Sequence, residues 1–260
     1  MHQAIHKSDI ELQSKTASGT LFVELAENKN LLQSSLTKLE EWSETSNISL
    51  NRTKTKEFII RKNRMDIETD TIHYTDNSEV SKATSCERVL GIWIDNKLNF
   101  SEHVARLVKK ITPRLYWLKS LKSAGVDEET LILLYTTHLR SAISYAAAAW
   151  YPHTNTTARH KLERLQKLAL KRINSTLTYE LALKKFNIEK LTDFLCRLQC
   201  AHFENLLNCD HPLHHLIPPL CGAQSGRNTR QSEQMCITYN TLLRKNSFIV
   251  NSAALYNNDM

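Results

Sequence analysis

Glycine and proline are scarce in this chain, with five of each among 260 residues. Doubly wound nucleotide-binding folds need glycine at their phosphate-binding turns. The sequence contains no G-x-G-x-x-G, no G-x-x-x-x-G-K and no G-x-S-x-G motif. These absences exclude dinucleotide-binding enzymes of the Rossmann type, P-loop nucleotidases and α/β-hydrolases.

Long apolar runs are also missing. No stretch approaches the ~20 consecutive apolar residues that span a bilayer, and the N-terminus has no apolar signal-peptide core. Six cysteines scattered over the chain do not make a disulfide framework. We therefore expect an intracellular protein, cytoplasmic or nuclear, with reduced cysteines and no membrane partner.

Positive charge, in contrast, is plentiful and unevenly placed. The chain carries a formal net charge of +7, and residues 101–122 and 158–172 each hold six basic residues and one acid. The two segments together carry +10, so they account for the whole excess. Such acid-poor helices favour a nucleic-acid partner, although lysine and arginine also coat ordinary solvated faces. The candidate nucleic-acid-binding residues are Arg106, Lys109, Lys110, Arg114, Lys119, Lys122, Arg159, Lys161, Arg164, Lys167, Lys171 and Arg172.

Hydrophobic periodicity predicts an α+β fold that is predominantly α. β-type runs at 58–60, 71–74 and 89–94 predict a small antiparallel β-sheet over about 56–95. Apolar positions at helical spacing predict one helix before this sheet, at 31–42. After Asp95 they predict a helical bundle, with helices that include 157–173, 178–186 and 190–208.

Local signals mark several helix ends. We expect Ser101 to cap the first bundle helix, Pro113 to kink or end it, and Gly125 to stop it. Asp127 should cap the next helix, which Tyr151 and Pro152 should end. The apolar face of that helix is predicted to contain Leu131, Leu134, Tyr135, His138, Ala142, Tyr145 and Ala149.

The predicted organisation has four parts. Residues 1–28 lack periodicity and should be poorly ordered. Residues 29–96 contain the first helix and the β-hairpin, and residues 97–210 form the helical bundle. Residues 211–260 read as a loop-rich tail with one short strand at 247–250.

An ordered set of short motifs resembles a known family. Glu41-Trp42, Ile48-Ser49-Leu50-Asn51, Lys54-Thr55 and Phe58-Ile59-Ile60 resemble non-LTR (LINE-type, jockey-like) retrotransposon reverse transcriptases just downstream of the polymerase aspartates. The run Val89-Leu90-Gly91-Ile92-Trp93-Ile94-Asp95 looks like the primer-grip hairpin of the family. Further matches are Leu98-Asn99-Phe100, His103, Leu133-Leu134-Tyr135, Tyr145, Trp150, Leu162-Glu163-Arg164-Leu165-Gln166-Lys167, Arg227-Asn228-Thr229-Arg230 and Leu255-Tyr256-Asn257.

The resemblance covers residues 30–258 and implies the end of the palm, a helical thumb-like domain and the downstream region of an RNA-directed DNA polymerase. The parent family uses Mg²⁺ held by carboxylates, including an adjacent Asp-Asp pair. No two aspartates are adjacent here, so we expect no catalysis by this chain alone, no metal site and no cofactor.

The resemblance also suggests roles for three residues. Lys54 matches a family lysine placed near the leaving pyrophosphate, which makes it a weak catalytic candidate, although a solvated lysine at the entry to a strand explains it better. Leu90 and Gly91 match primer-grip positions. Without a palm, their expected role is to build the hairpin turn.

Two further patterns leave alternatives open. Tyr116 and Trp117 lie among the basic residues and either stack on bases or pack in the core, and we expect the core for at least one. Cys196, Cys200, His202, Cys209, His211, His214 and His215 invite a zinc interpretation. Their spacing differs from that of a closed zinc finger, and Cys196, Cys200, Phe203 and Leu207 fit one apolar helix face better.

The functional expectation is a catalytically inactive reverse-transcriptase fragment that retains sequence-independent binding to RNA or an RNA–DNA hybrid. A protein-interaction module that docks on a full-length related polymerase is one alternative, since the exposed palm-facing surface of a fragment would be apolar. A decayed, non-functional remnant of a mobile element is the other.

Overall fold

The secondary structure is predominantly α-helical with a few short strands, as the sequence predicts. The computed structural model describes residues 16–17, 29–58, 60, 71–83, 85–221, 234–237, 239 and 245–259. The chain divides into two compact units, residues 1–97 and residues 98–260. Of the segment 1–28, which is predicted to be poorly ordered, only residues 16–17 are among those described.

Among its described residues, the first unit has one long helix and three pairs of short strands. Helix α1 spans Lys29–Thr45 and confirms the helix predicted at 31–42. Strands β1 and β2 are parallel, β3 and β4 are parallel, and β5 and β6 form an antiparallel hairpin. The strand bounds are Thr16–Ala17 (β1), Ser49–Leu50 (β2), Lys56–Glu57 (β3), Ser81–Lys82 (β4), Cys86–Val89 (β5) and Ile92–Asp95 (β6).

The prediction of one antiparallel sheet over 56–95 is therefore wrong in detail. The run 89–94 is interrupted by a tight turn, where Leu90 and Gly91 have φ angles of 47° and 89°. Two successive positive φ angles are typical of the hairpin turn that joins two antiparallel strands. The run 71–74 contributes only an isolated bridge from His73 to Glu79, and of the run 58–60 residue 59 lies outside the described residues.

The core of the first unit lies between α1 and the following loops. Leu36, Tyr74 and Val80 are buried together. The side chain of Gln33 on α1 donates to the His73 carbonyl at 2.6 Å and accepts from the His73 N–H at 3.1 Å. Glu40, also on α1, accepts from the Thr75 N–H at 3.0 Å, so polar bonds fix the helix on both sides of the buried cluster.

The second unit begins with the longest helix, α2, which spans Ser101–Ser123. Ser101 is not its cap, because the N-cap position is Phe100, which has a left-handed backbone and no side-chain cap bond. Instead, the Asn99 side chain accepts from the Ser101 N–H at 2.9 Å. Gly125 ends the helix as predicted. With φ at +88°, it donates to the Lys122 carbonyl, and the next N–H returns to the Leu121 carbonyl.

Proline does not end α2. The helix is continuous through Pro113, so of the two predicted effects, a kink or an end, the end is wrong. The hydroxyl of Thr112 donates to the Val108 carbonyl at 2.8 Å, one turn earlier. The packed apolar stripe Val104, Leu107, Ile111, Leu115 and Leu118 continues on both sides of the proline, and its burial outweighs the missing backbone bond.

The next helix is not the single regular helix that the sequence predicts. Asp127 caps it as expected, accepting from the Thr130 N–H at 2.8 Å, but the helix widens into a π-helical segment and then breaks at Ala146, which has a φ of 49°. The pieces are α3 Glu128–Leu134, the π-helix Tyr135–Arg140, α4 Ser141–Ser144, α5 Ala147–Trp150 and a 3₁₀ turn Tyr151–His153.

The π-helix changes which residues face the core. Leu131, Tyr135, Leu139 and Ile143, spaced four apart, are all at most 2% exposed. In an unbroken α-helix, residues spaced four apart rotate around the helix axis by about 40° at each step. The wider π-turn reduces this rotation and keeps the four residues on one face. His138, Tyr145 and Ala149, predicted to share the apolar face, are exposed instead.

The remaining helices complete the second unit. Helices α6, α7 and α8 agree with the predictions at 157–173, 178–186 and 190–208. The predicted strand at 247–250 is wrong, because these residues begin a C-terminal helix whose Phe248 and Tyr256 pack with Phe203 of α8. The bounds are α6 Thr156–Ile173, α7 Tyr179–Lys185, α8 Leu191–Leu206, a 3₁₀ turn His214–Leu216 and α9 Phe248–Asp259.

Candidate nucleic-acid interface

Helices α2 and α6, which carry the two basic segments, pack side by side in the same direction. At their N-terminal ends the ring of His103 lies 5.1 Å from that of Trp150, shortly before α6. At their C-terminal ends Glu128 accepts from Lys122, just before the end of α2, at 3.2 Å, and from Asn174, just after α6, at 2.8 Å. The fold therefore brings the two segments, which are far apart in sequence, into one parallel pair.

Most of the twelve predicted cations are exposed on this pair. Arg114, Arg159 and Arg172 are half-buried and the other nine are exposed. Two form ion pairs, Arg106 with Glu102 at 2.6 Å and Lys122 with Glu128 at 3.2 Å. Within the part of the chain that the structure describes, the other ten have no carboxylate partner. We call this set of twelve residues the α2–α6 basic face.

Two of these cations make other contacts inside the protein. The guanidinium of Arg159 lies 4.8 Å from the centre of the Tyr151 ring, and its Nε donates to the Thr154 hydroxyl at 3.3 Å. The Lys167 ammonium lies 5.0 Å from the Tyr179 ring centre. The two ring contacts are cation–π interactions that restrain these side chains.

The only acid in the basic segment of α6 is bound by groups of the neighbouring helices α7 and α8. Glu163 accepts from the Tyr179 hydroxyl with one oxygen and from the Thr192 N–H with the other, at 3.0 Å. Burial and this bond to the carboxylate both raise the pKa of Tyr179, so the phenol remains a donor. The negative charge of Glu163 is thereby held on the α7 and α8 flank of α6.

The cations follow helical rows along each axis. Arg106, Lys110 and Arg114 are four residues apart on α2, and Arg164, Lys167 and Lys171 occupy successive turns of α6. A helix of 23 residues such as α2 is about 35 Å long, which matches the length of about ten base pairs. Because paired helices lie roughly 8–10 Å apart, we expect the cation rows of the two helices to lie close to each other along the pair.

Both aromatic side chains within the α2 segment are exposed. Tyr116 is 64% and Trp117 is 58% accessible, so the prediction that at least one packs in the core is wrong. The reason lies in the helix geometry, since the buried stripe Leu107, Ile111, Leu115 and Leu118 leaves positions 116 and 117 on the solvent side. The same spacing could have revealed this exposure from the sequence.

A buried hydrogen-bond network links α6 to neighbouring segments of the second unit. Gln166 is fully buried, accepts from the Tyr135 hydroxyl at 2.6 Å, and donates to the Tyr179 hydroxyl at 3.1 Å and the Glu189 carbonyl at 2.8 Å. Burial raises the pKa of Tyr135 well above its usual value. No local sequence signal marks this network, because its members lie on four different segments and only the fold joins them.

The three residues suggested by the family resemblance lie in the other unit. Lys54 is exposed and lies in a turn, where its backbone N–H donates to the Asn51 carbonyl at 3.1 Å. Leu90, 81% exposed, and Gly91 form the turn between β5 and β6. Leu90 and Gly91 therefore build the hairpin turn. Among the described residues, no catalytic group contacts the Lys54 side chain.

The cysteines and histidines of α8 and the following loop do not form a cluster. Cys196 and Cys200 line a shallow cavity on α8 with Arg197, Ala201, Glu204 and Leu255. Among the described residues no group of three or more His, Cys, Asp or Glu side chains is arranged to hold a metal ion. In the same residues no helix is both long and apolar enough to cross a bilayer.

Comparison with known proteins adds no relative. No protein-family model matches the chain, and no curated protein or solved structure matches it significantly.

Proposed function

We propose that this chain corresponds to the palm-exit and thumb part of an RNA-directed DNA polymerase of the non-LTR retrotransposon type. It does not polymerise by itself, and it binds RNA or an RNA–DNA hybrid without regard to sequence. The proposal assigns it no metal and no cofactor, because its 260 residues contain no adjacent aspartate pair that would hold the catalytic ions.

The α2–α6 basic face is the observation that carries the binding proposal. Ten of its twelve cations have no carboxylate partner among the described residues, and Glu163 is bound by the Tyr179 hydroxyl and the Thr192 N–H. Lysine and arginine that neutralise phosphates release condensed counterions, which drives binding without reading bases. Cations that already have protein partners would contribute less to this release.

The test is a fluorescence-anisotropy titration of the full chain against an RNA–DNA hybrid over a series of salt concentrations. For a duplex, the logarithm of the binding constant falls with the logarithm of salt by about 0.9 for each phosphate neutralised. Reversing Lys109, Lys110 and Arg114 together to glutamate should abolish tight binding. It should also reduce the magnitude of the salt slope by about 3.

A charge-matched control separates local contacts from net charge. The triple variant Lys38→Glu, Arg88→Glu and Lys97→Glu changes the same number of charges at exposed positions of the other unit. It should bind nearly as the unmodified chain does. Equal binding by both triple variants would contradict the proposal, and binding that salt does not weaken would favour an apolar docking surface instead.

A further inference from the structure

Tyr116 and Trp117 expose a large apolar area to water, which is unfavourable in free energy unless a partner covers it. More than half of each side chain is accessible, and within the described residues neither ring stacks on another or makes a side-chain hydrogen bond. Trp150 of the same unit, by comparison, is fully buried and donates to the Tyr145 carbonyl at 3.0 Å. Removing such apolar area from water is favourable by about 25 cal/mol per Å².

The surroundings of the two rings decide which partner fits them. Trp117 continues the helical row of Arg106, Lys110 and Arg114, and Tyr116 lies two turns after Lys109. An apolar protein surface would have to strip water from these cations, which is unfavourable. A nucleic acid offers aromatic base faces to the rings and phosphates to the cations at once.

We infer that Tyr116 and Trp117 form a stacking platform for unpaired bases, so that the α2–α6 basic face prefers single-stranded nucleic acid. The inference rests on the proposed function and makes its substrate class specific. Bases within a duplex already stack on each other and offer no free face, whereas those of a single strand do. Stacking of one base on an aromatic side chain changes affinity by roughly 5- to 150-fold on alanine substitution.

The experiment compares two strands of equal length and charge, an oligo(dA) and an abasic strand, together with an oligo(A) RNA. The unmodified chain should bind the base-bearing strands more tightly than the abasic strand. The variant Tyr116→Ala/Trp117→Ala should lose this difference and keep its salt slope. Leu133→Ala, which removes a 60% exposed side chain from α3, should leave the affinity difference between the strands unchanged.

Tryptophan fluorescence gives a second readout. Oligo(dA) should quench the emission of the unmodified chain, and Trp117→Phe should remove that quenching although three other tryptophans remain. If Tyr116→Ala/Trp117→Ala binds base-bearing strands with unchanged affinity, the stacking platform is refuted while phosphate binding stands. If the Lys109, Lys110 and Arg114 reversal leaves all binding intact, the proposed function itself fails.

A separate observation concerns two cysteines of the C-terminal region. The Sγ atoms of Cys221 and Cys236 lie 2.8 Å apart. The backbone holds them there, because the Cys221 N–H donates to the Gln234 carbonyl and the Cys236 N–H donates to the Pro219 carbonyl, both at 2.8 Å. Met235, next to Cys236, is buried with Phe203 and Ala253, and its N–H donates to the Asn257 side chain.

We propose that Cys221 and Cys236 are a reversible dithiol that closes to a disulfide with oxidised glutathione. The Cys221 thiolate attacks one glutathione sulfur and releases one glutathione thiolate, and the Cys236 thiolate then attacks Cys221 and releases the second. The two protein thiols are oxidised to one disulfide, the glutathione disulfide is reduced to two thiols, and two protons pass to the solvent or the leaving thiolates. Both side chains are half-buried and so remain accessible.

Peptide mapping by mass spectrometry after equilibration in glutathione buffers of graded potential tests this proposal. The expected product is a cross-linked peptide pair that contains Cys221 and Cys236 and disappears on addition of dithiothreitol. Cys236→Ser should instead trap a glutathione adduct on Cys221, and Cys209→Ser, at an exposed cysteine, should leave the cross-link intact. Glutathione adducts on both cysteines of the unmodified chain, without a cross-link, would overturn it.

Discussion

Replacing Gln166 by leucine tests whether the buried network holds α6 in place. Its amide makes three hydrogen bonds, to the Tyr135 hydroxyl, the Tyr179 hydroxyl and the Glu189 carbonyl. Leucine fills a similar volume, so the main effect is the loss of polar partners. Tyr179 retains Glu163 as its acceptor, whereas the Tyr135 hydroxyl and the Glu189 carbonyl lose their partners within the protein interior.

The expected magnitude follows from those two groups. A buried donor or acceptor left without a partner costs about 1–3 kcal/mol, so the two groups together should lower the free energy of unfolding of Gln166→Leu by about 2–6 kcal/mol. For a unit of this size, each kcal/mol shifts the melting temperature by about 2–4 °C. We therefore expect the melting temperature to decrease by about 4–24 °C.

A double-mutant cycle measured by denaturant unfolding provides the decisive assay. Tyr135→Phe alone should also destabilise the protein, because it leaves the Gln166 carbonyl oxygen without its donor at 2.6 Å. The double variant Gln166→Leu/Tyr135→Phe should be less destabilised than the sum of the two, since it removes both sides of one bond. Strict additivity, or a loss below about 0.5 kcal/mol for Gln166→Leu, would refute the reasoning.

Three further predictions concern helix ends, the internal proline and pH. Gly125→Ala should lower the free energy of unfolding by about 1 kcal/mol. The cost comes from the left-handed φ of +88° alone, because no atom lies within 4 Å of the added methyl, and Gly125→Asn should cost less. Pro113→Ala should raise that free energy by about 1–2 kcal/mol in a thermal melt, because α2 regains a backbone bond; a lower melting temperature would contradict this. Burial lowers the pKa of His103 from 6.5 to about 4, so between these values the unfolded chain binds the proton and the folded chain does not. Stability should therefore fall as the pH drops from 6.5 to 4, by at most about 1.4 kcal/mol per unit, and His103→Phe should flatten that part of the profile.

Helix positions were predictable because they depend on local signals. The caps Asp127 and Thr178 accept from backbone N–H groups three residues ahead, and Gly125 supplies a left-handed residue at the end of α2. Each of these depends only on residues within one or two turns. The sequence could therefore place α2, α3, α6 and α7 without knowledge of the rest of the fold.

Strands and irregular helices were less predictable because distant partners decide them. Phe248, Ile249 and Val250 have high β-propensity, yet they begin α9, whose packing against Phe203 of α8 outweighs that preference. Ala146 similarly breaks a helix that its residue type favours. For α9 the deciding interaction therefore involves a residue that no local window contains.

The candidate interface was predictable in its charges but not in its geometry. The two acid-poor segments are evident in the sequence, and the exposure of Lys109, Lys161 and Arg164 agrees with that pattern. The parallel pairing depends on the contacts of Glu128 at one end and Trp150 at the other. Neither residue belongs to a basic segment, so the sequence gives no reason to connect them.

Placing two +5 segments on adjacent parallel helices has an electrostatic cost. Two like charges 10 Å apart in water repel by about 0.4 kcal/mol, and the spacing between α2 and α6 is close to the Debye length of about 8 Å at physiological salt. The repulsion between the cations of α2 and those of α6 thus lowers the stability of the free protein. Added salt should consequently raise its melting temperature while weakening its binding to nucleic acid. A neutral solvated surface would show neither trend, so opposite responses to the same salt series would connect the cost of this face to its use.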